Sequence, residues 1–267
     1  MSEGRGDSAS LVGVHAVVHI RSVPFSVINY DSVLDLFAEW VVQRVPRQVC
    51  VANVHTLMTA LGDPAYMRIY QEADLITMDG QPLRWYANLV HKAGIPDRVC
   101  GPVLMDHCLA RGAMHGWKHY FLGGHPDVLE LLVEKVGNRH PGADIVGAYS
   151  PPFRPLSPRE HGAIINQIRV AKPDFLWVGL GAPKQEQWIY DNRRVTGVPV
   201  QIGVGAAFDF HAGAISRAPS WMQDMGLEWA YRLWSDPRLW RRYASTNPRF
   251  LVILAKDLML SRTGRPV

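Results

Sequence analysis

From Gln48 onward the chain repeats one unit: a short run of β-branched and aromatic residues, then a longer apolar-periodic stretch. Strands are expected at Gln48–Ala52, Leu75–Met78, His119–Leu122, Asp144–Tyr149, Asp174–Gly179 and Val198–Val204. Helices are expected at Pro82–Ala93, Pro102–His115, Pro126–Arg139, Pro158–Ala171 and Lys184–Arg194. Prolines stand near several of the helix starts, where a missing N–H costs nothing. Such alternation with short loops predicts an α/β fold: a mostly parallel sheet covered by helices on both faces.

Upstream, Leu11–Asn29 reads as two strands, as in a hairpin, and Asp31–Val45 as a helix ended by Pro46. Residues 1–10 are polar, read as disordered, and lack the apolar core of a signal peptide. With 267 residues, 48% of them hydrophobic, the chain can bury a large core across residues 11–214. Beyond that point, in 215–267, tryptophan and arginine crowd together, which reads as a C-terminal helical appendage. No window is apolar for long enough to span a bilayer, so any membrane contact is expected to be peripheral. Cys50, Cys100 and Cys108 are scattered without metal-site spacing and suit a reducing compartment.

In parallel sheets ligands bind beyond the carboxyl ends of the strands, and the unusual residues fall there. Gly179-Leu-Gly-Ala-Pro-Lys-Gln-Glu186 and Gly203-Val-Gly-Ala-Ala-Phe-Asp-Phe-His-Ala-Gly213 are glycine-bearing loops after successive strands. They fit a nucleotide diphosphate held on backbone N–H groups, or tight turns packed around Phe208 and Phe210. Gly123 and Gly124 end another strand, and Asn53 and His55 follow a further one. Asp79, directly after Leu75–Met78, suits either a general base or the N-cap of the helix begun by Pro82. His15 and His19 are not expected to act as ligands. No Asp-x-Asp lies near a strand end, so a diphosphate would be neutralised by arginines rather than a bound metal.

The appendage supplies those arginines. Arg217, Arg232, Arg238, Arg241 and Arg242 are interleaved with Trp221, Trp229, Trp234 and Trp240. Arginines pair with phosphates, and tryptophans favour a membrane interface. An amphipathic helix pair with buried aromatics is the plainer reading. Nucleic acid is not expected, because the net charge is only +4 and Glu228 and Asp236 interrupt the basic stretch.

Taken in order, Asp79-Gly80, Phe121-Leu-Gly-Gly124, Gly179–Glu186, Val204-Gly205 with Phe208-Asp209, Ala212-Gly213, Arg217-Ala-Pro219, Gly226-Leu-Glu-Trp229 and Pro237-Arg238 with Arg242-Tyr243 resemble the WecG/TagA/CpsF family, glycosyltransferase family 26, over roughly residues 48–250. The resemblance implies a Rossmann-like core with a membrane-meeting appendage that completes the active site. It implies inverting, metal-independent transfer from a UDP-sugar to a polyprenyl-diphosphate-linked sugar, at the cytoplasmic face of the plasma membrane. Asp79 maps onto the base, Asn53 and Gln185 onto substrate-contacting residues, and Arg232 onto an arginine near the leaving diphosphate. Lys184, Glu186, Gly205 and Asp209 fall within the matching segments. No cofactor is implied, and self-association into a homo-oligomer is in keeping with the family. Val51 replaces a threonine found in some members, and Ala206 and Ala207 stand where many have glycine or a polar residue. These departures lean towards glucose over N-acetylmannosamine or its uronic acid as the donated sugar. Two rival readings are a nicotinamide-dependent oxidoreductase, resting on the Gly-x-Gly turn, and a non-catalytic UDP-sugar-binding adaptor.

Overall fold

The computed structural model describes residues 15–263 apart from 220, 223–224, 226 and 236–238. The expected disordered start, 1–10, lies outside the described residues.

Its centre is a sheet of six parallel strands: β3 (Arg47–Ala52), β4 (Leu75–Met78), β5 (Lys118–Gly123), β6 (Asp144–Tyr149), β7 (Phe175–Gly179) and β8 (Val200–Gly203). The spatial order is β4-β3-β8-β7-β5-β6. Inner strands such as Phe175–Val178 and Val200–Gly203 are buried along their length, which explains the unbroken apolar run of the first, while buried Gln201 interrupts the second and bonds to the Arg193 and Val198 carbonyls. Edge strand β6 is only partly covered and carries more polar residues.

A separate antiparallel hairpin, β1 (Val17–Ile20) and β2 (Val23–Ser26), turns through Arg21 in the left-handed region. Helix α1 (Tyr30–Gln43) starts at Asn29, whose side chain accepts from the Ser32 N–H, and stops at left-handed Arg44 just before Pro46. Two short helices were not expected: α2 (Val54–Gly62) and α3 (Pro64–Gln71). Asn53 and Thr56 form a reciprocal capping box at the start of α2, so the loop expected at Asn53–Thr56 is a helix start. Helices α4 (Gln81–Val90), α5 (Gly101–His115), α6 (Pro126–Arg139), α7 (Pro158–Ala171) and α8 (Lys184–Thr196) follow the expected rhythm. A further short helix, α9 (Ala207–His211), occupies part of the expected 203–213 loop.

The C-terminal stretch folds into α10 (Glu228–Ser235) and the long α11 (Leu239–Arg262). Helix α11 is not detached from the body. It packs against α2 and α4, and Phe250 is buried with Tyr86 in the core cluster on that face of the sheet. Asp257 is fully buried, 2.7 Å from Arg21 of the hairpin turn and 2.7 Å from the Tyr86 hydroxyl, which donates to it. Removing the carboxylate strands both partners. Asp257→Ala is therefore expected to lower unfolding stability by about 2–3 kcal/mol, discounted because Arg21 keeps some solvent contact. Urea denaturation followed by circular dichroism reads this directly, and a loss under ~0.5 kcal/mol would remove the anchoring role. Among the described residues no helix is long and apolar enough to cross a membrane.

Candidate active site

Strands β3 and β4 are parallel neighbours with Ala52 opposite Met78, so the next residues, Asn53 and Asp79, emerge side by side at the carboxyl end of the sheet. The Asp79 N–H donates to the Ala52 carbonyl at 2.8 Å, which carries the ladder one step further and fixes Asp79's backbone. The N-cap of α4 falls on Gly80, which makes no side-chain capping bond. Asp79 is thus not the residue that caps this helix.

Asn53 and Asp79 line a cavity of about 320 Å³. Its other walls come from Gln81, Pro82 and Trp85 of α4, Arg98 and Cys100 from the segment before α5, Arg217, and residues of α10 and α11. The main domain and the C-terminal helices therefore build the site jointly.

The electrostatics centre on Asp79. Burial pushes its carboxyl above the usual range, Arg98 opposes that rise most strongly, Glu228 adds to it, and Arg232 and Arg217 oppose it. A carboxylate raised in this way, yet surrounded by cations, is suited to accept a proton. Arg98 donates to the Asp79 carbonyl at 3.1 Å and to Glu228 at 2.6 Å. Glu228, the first residue of α10, also lies 3.5 Å from Arg217. Arg217 in turn reaches the Cys100 sulfur at 3.3 Å. Arg232, one turn along α10, sits over the Phe210 ring at 5.7 Å from its centroid. This ion-pair chain ties α10 to the residue beside which the chemistry would occur.

Of the sequence-predicted residues, Asn53, Asp79, Arg217 and Arg232 meet in this cavity, with His55. Gly123, Gly124, Gly179, Gly181, Lys184, Gln185, Glu186, Gly205, Asp209 and Arg241 are not among its lining. Several also have a packing task. A Cβ on Gly179 would fall 2.6 Å from the Phe208 ring, and one on Gly123 2.6 Å from the Gly179 carbonyl, so both glycines permit close contact between β5, β7 and α9. Gln185 and Glu186 are buried. Gln185 accepts from the Gly205 N–H at 3.0 Å and donates to Glu186 at 2.8 Å, stitching the turn after β8 to the start of α8. Lys184 and Arg241 are exposed, and burial raises the Asp209 carboxyl. Arg238 and the Arg242 side chain lie outside the described residues.

Sequence reasoning missed Arg98, and it noted Glu228 as a negative neighbour and within the Gly226-Leu-Glu-Trp229 segment without giving it a role. The two are 130 positions apart, and no local pattern marks their pairing. Among the described residues no group of three or more His, Cys, Asp or Glu side chains is placed to hold a metal ion.

Comparison with known proteins decides what kind of enzyme owns this cavity. The sequence profile described as "Glycosyl transferase WecG/TagA/CpsF family" matches residues 18–264, and so includes the hairpin and α11. The chain belongs to the WecG/TagA/CpsF family. Three relatives are each named N-acetylglucosaminyldiphosphoundecaprenol N-acetyl-beta-D-mannosaminyltransferase. The one from Bacillus subtilis (strain 168) is 27% identical, over 92% of this chain and 94% of its own length. The one from Staphylococcus aureus (strain MW2) is 30% identical over 78% of this chain and 79% of that one. The Bacillus spizizenii protein is 29% identical over 78% of each. As a WecG/TagA/CpsF member the chain is a glycosyltransferase, which displaces the oxidoreductase reading of the Gly-x-Gly turn.

Proposed function

We propose that this glycosyltransferase moves a sugar from UDP onto a polyprenyl-diphosphate-linked sugar, with inversion and without a metal ion. The observation that carries the reading is the meeting of Asp79 and Asn53 with Arg98, Arg217 and Arg232 in one cavity. Asp79 takes the proton from the acceptor hydroxyl, whose oxygen forms the new bond to the anomeric carbon. The bond from that carbon to the UDP oxygen breaks on the opposite face, and its electrons pass to the diphosphate. Arginines and backbone N–H groups beyond β7 and β8 stabilise the charge that accumulates there. Asn53 orients the sugar. The relatives' names make N-acetylmannosamine the first donor to test and N-acetylglucosaminyl diphosphate the first acceptor head. That displaces glucose from the front of the panel.

The decisive experiment measures UDP release in EDTA, using a short-chain polyprenyl-diphosphate N-acetylglucosamine acceptor and a panel of UDP-sugars. Acceptor-dependent release with one donor is expected. UDP binding without release under every combination would leave the protein a non-catalytic adaptor.

The membrane holds the acceptor, and the C-terminal surface suits it. Trp221, Met225, Trp234 and Trp240 are exposed there, alongside exposed Arg241. Weak association with anionic vesicles is expected, with about 1 kcal/mol from each well-placed basic residue, and it should fall as salt is raised. Deleting everything after Gly213 is a poor test, since it also strips Phe250 and Asp257 from the core. The double variant Trp234→Ser/Trp240→Ser is better, and cosedimentation equal to that of the unmodified protein would refute the membrane role.

A further inference from the structure

The cavity lining mixes charged groups with large apolar ones. Asp79, Arg98, Arg217 and Arg232 line it together with Trp85 of α4 and Leu251 and Leu254 of α11. Asn247, Phe250, Leu251 and Leu254 recur at helical spacing, so the lining stripe runs along α11 for about 10 Å at 1.5 Å per residue. Trp85 is 42% and Leu251 60% exposed, and Leu89 on α4, one turn beyond Trp85, is 54% exposed. Large apolar side chains left this open beside a polar cavity mark a binding surface more than a core.

Building on the acceptor reading above, we propose that Trp85, Leu251 and Leu254 form a subsite for the first isoprene units of the acceptor's tail. The occupant follows from the lining. Of the two substrates proposed above only the lipid-linked acceptor carries a hydrocarbon, and large apolar side chains lining the cavity beside Asp79 fit it. A sugar nucleotide has no apolar tail to cover them. The subsite lets the enzyme recognise the lipid within the protein itself, apart from any adhesion to the bilayer. It also aligns the sugar: with the tail held between α4 and α11, the attached sugar is directed to Asp79.

The test uses two N-acetylglucosaminyl diphosphates below their aggregation concentrations and without vesicles, one carrying a three-unit isoprenyl tail and the other a methyl group. For the unmodified enzyme, kcat/KM is expected to be at least about tenfold higher with the isoprenyl acceptor, the gain from burying a few methylenes. In Trp85→Ser/Leu251→Ser that ratio is expected to collapse to near one. Isothermal titration with farnesyl diphosphate should show binding that the double variant loses. A ratio near one in the unmodified enzyme, or equal losses on both acceptors in the variant, overturns the subsite while the transfer reading stands. No transfer to either acceptor by the unmodified enzyme overturns the transfer reading, and the subsite with it.

Discussion

Asp79→Asn is expected to lower kcat by at least ~100-fold while leaving the fold and donor binding in place, since general-base catalysis contributes on that scale. The substitution is nearly isosteric. The backbone of residue 79 is held by its own N–H to Ala52 and by Arg98 on its carbonyl, and neither bond uses the carboxylate. Because α4 is capped at Gly80, removing the charge takes no cap away from that helix. Thermal unfolding of the variant should therefore match the parent closely. Stopped-flow or steady-state UDP release with saturating acceptor gives the number. Turnover within tenfold of the parent would mean that another group takes the proton.

The second large effect is expected at Arg98. Burial raises the Asp79 carboxyl, and Arg98 is the strongest influence holding it down. Arg98→Gln leaves Asp79 with the burial and with Glu228, both of which raise it further. With Asp79 as the proposed base, activity depends on its deprotonated form and rises as pH climbs through its pKa. The acid limb of the pH–rate profile should then move to higher pH, even though Arg232 and Arg217 still hold the carboxyl down. Below the shifted limb, activity should fall about tenfold for each unit of displacement. Arg98→Lys keeps the charge and should recover most of the limb position, though not the paired contacts to Asp79 and Glu228. A uniform loss with an unmoved limb would show that Arg98 serves the α10 contact alone.

How much of this was legible beforehand depended on whether the signal was local. The sheet was readable because strands such as Phe175–Gly179 are buried on both faces and so must be apolar throughout. Helices α2 and α3 escaped because they are short and bounded by cap residues, Asn53 and Asp63, that also look like turn formers. Helix α9 is shorter still. Asp79 stood out from its place at a strand end, and the structure puts the N-cap of α4 on Gly80, the next residue. Within the Lys184-Gln185-Glu186 trio the sequence could not tell that Gln185 is buried and accepts from the Gly205 N–H, because that bond joins two separate loops. The pairing of Arg98 with Glu228 carries no sequence signal, because it exists only where α10 packs over the strand ends.

The bond between Arg21 and Asp257 has a consequence for the order of synthesis. It joins residues 236 positions apart, and Phe250, a few residues earlier, is buried in the same face. By the time a ribosome has translated through Gly213, every strand of the sheet has been made, yet a wall of the cavity and the partner of Arg21 have not. The nascent chain can form its sheet while still tethered but cannot complete the cavity until α11 has left the exit tunnel. A product broken off before α11 would therefore carry Asp79 in a cavity that lacks one wall.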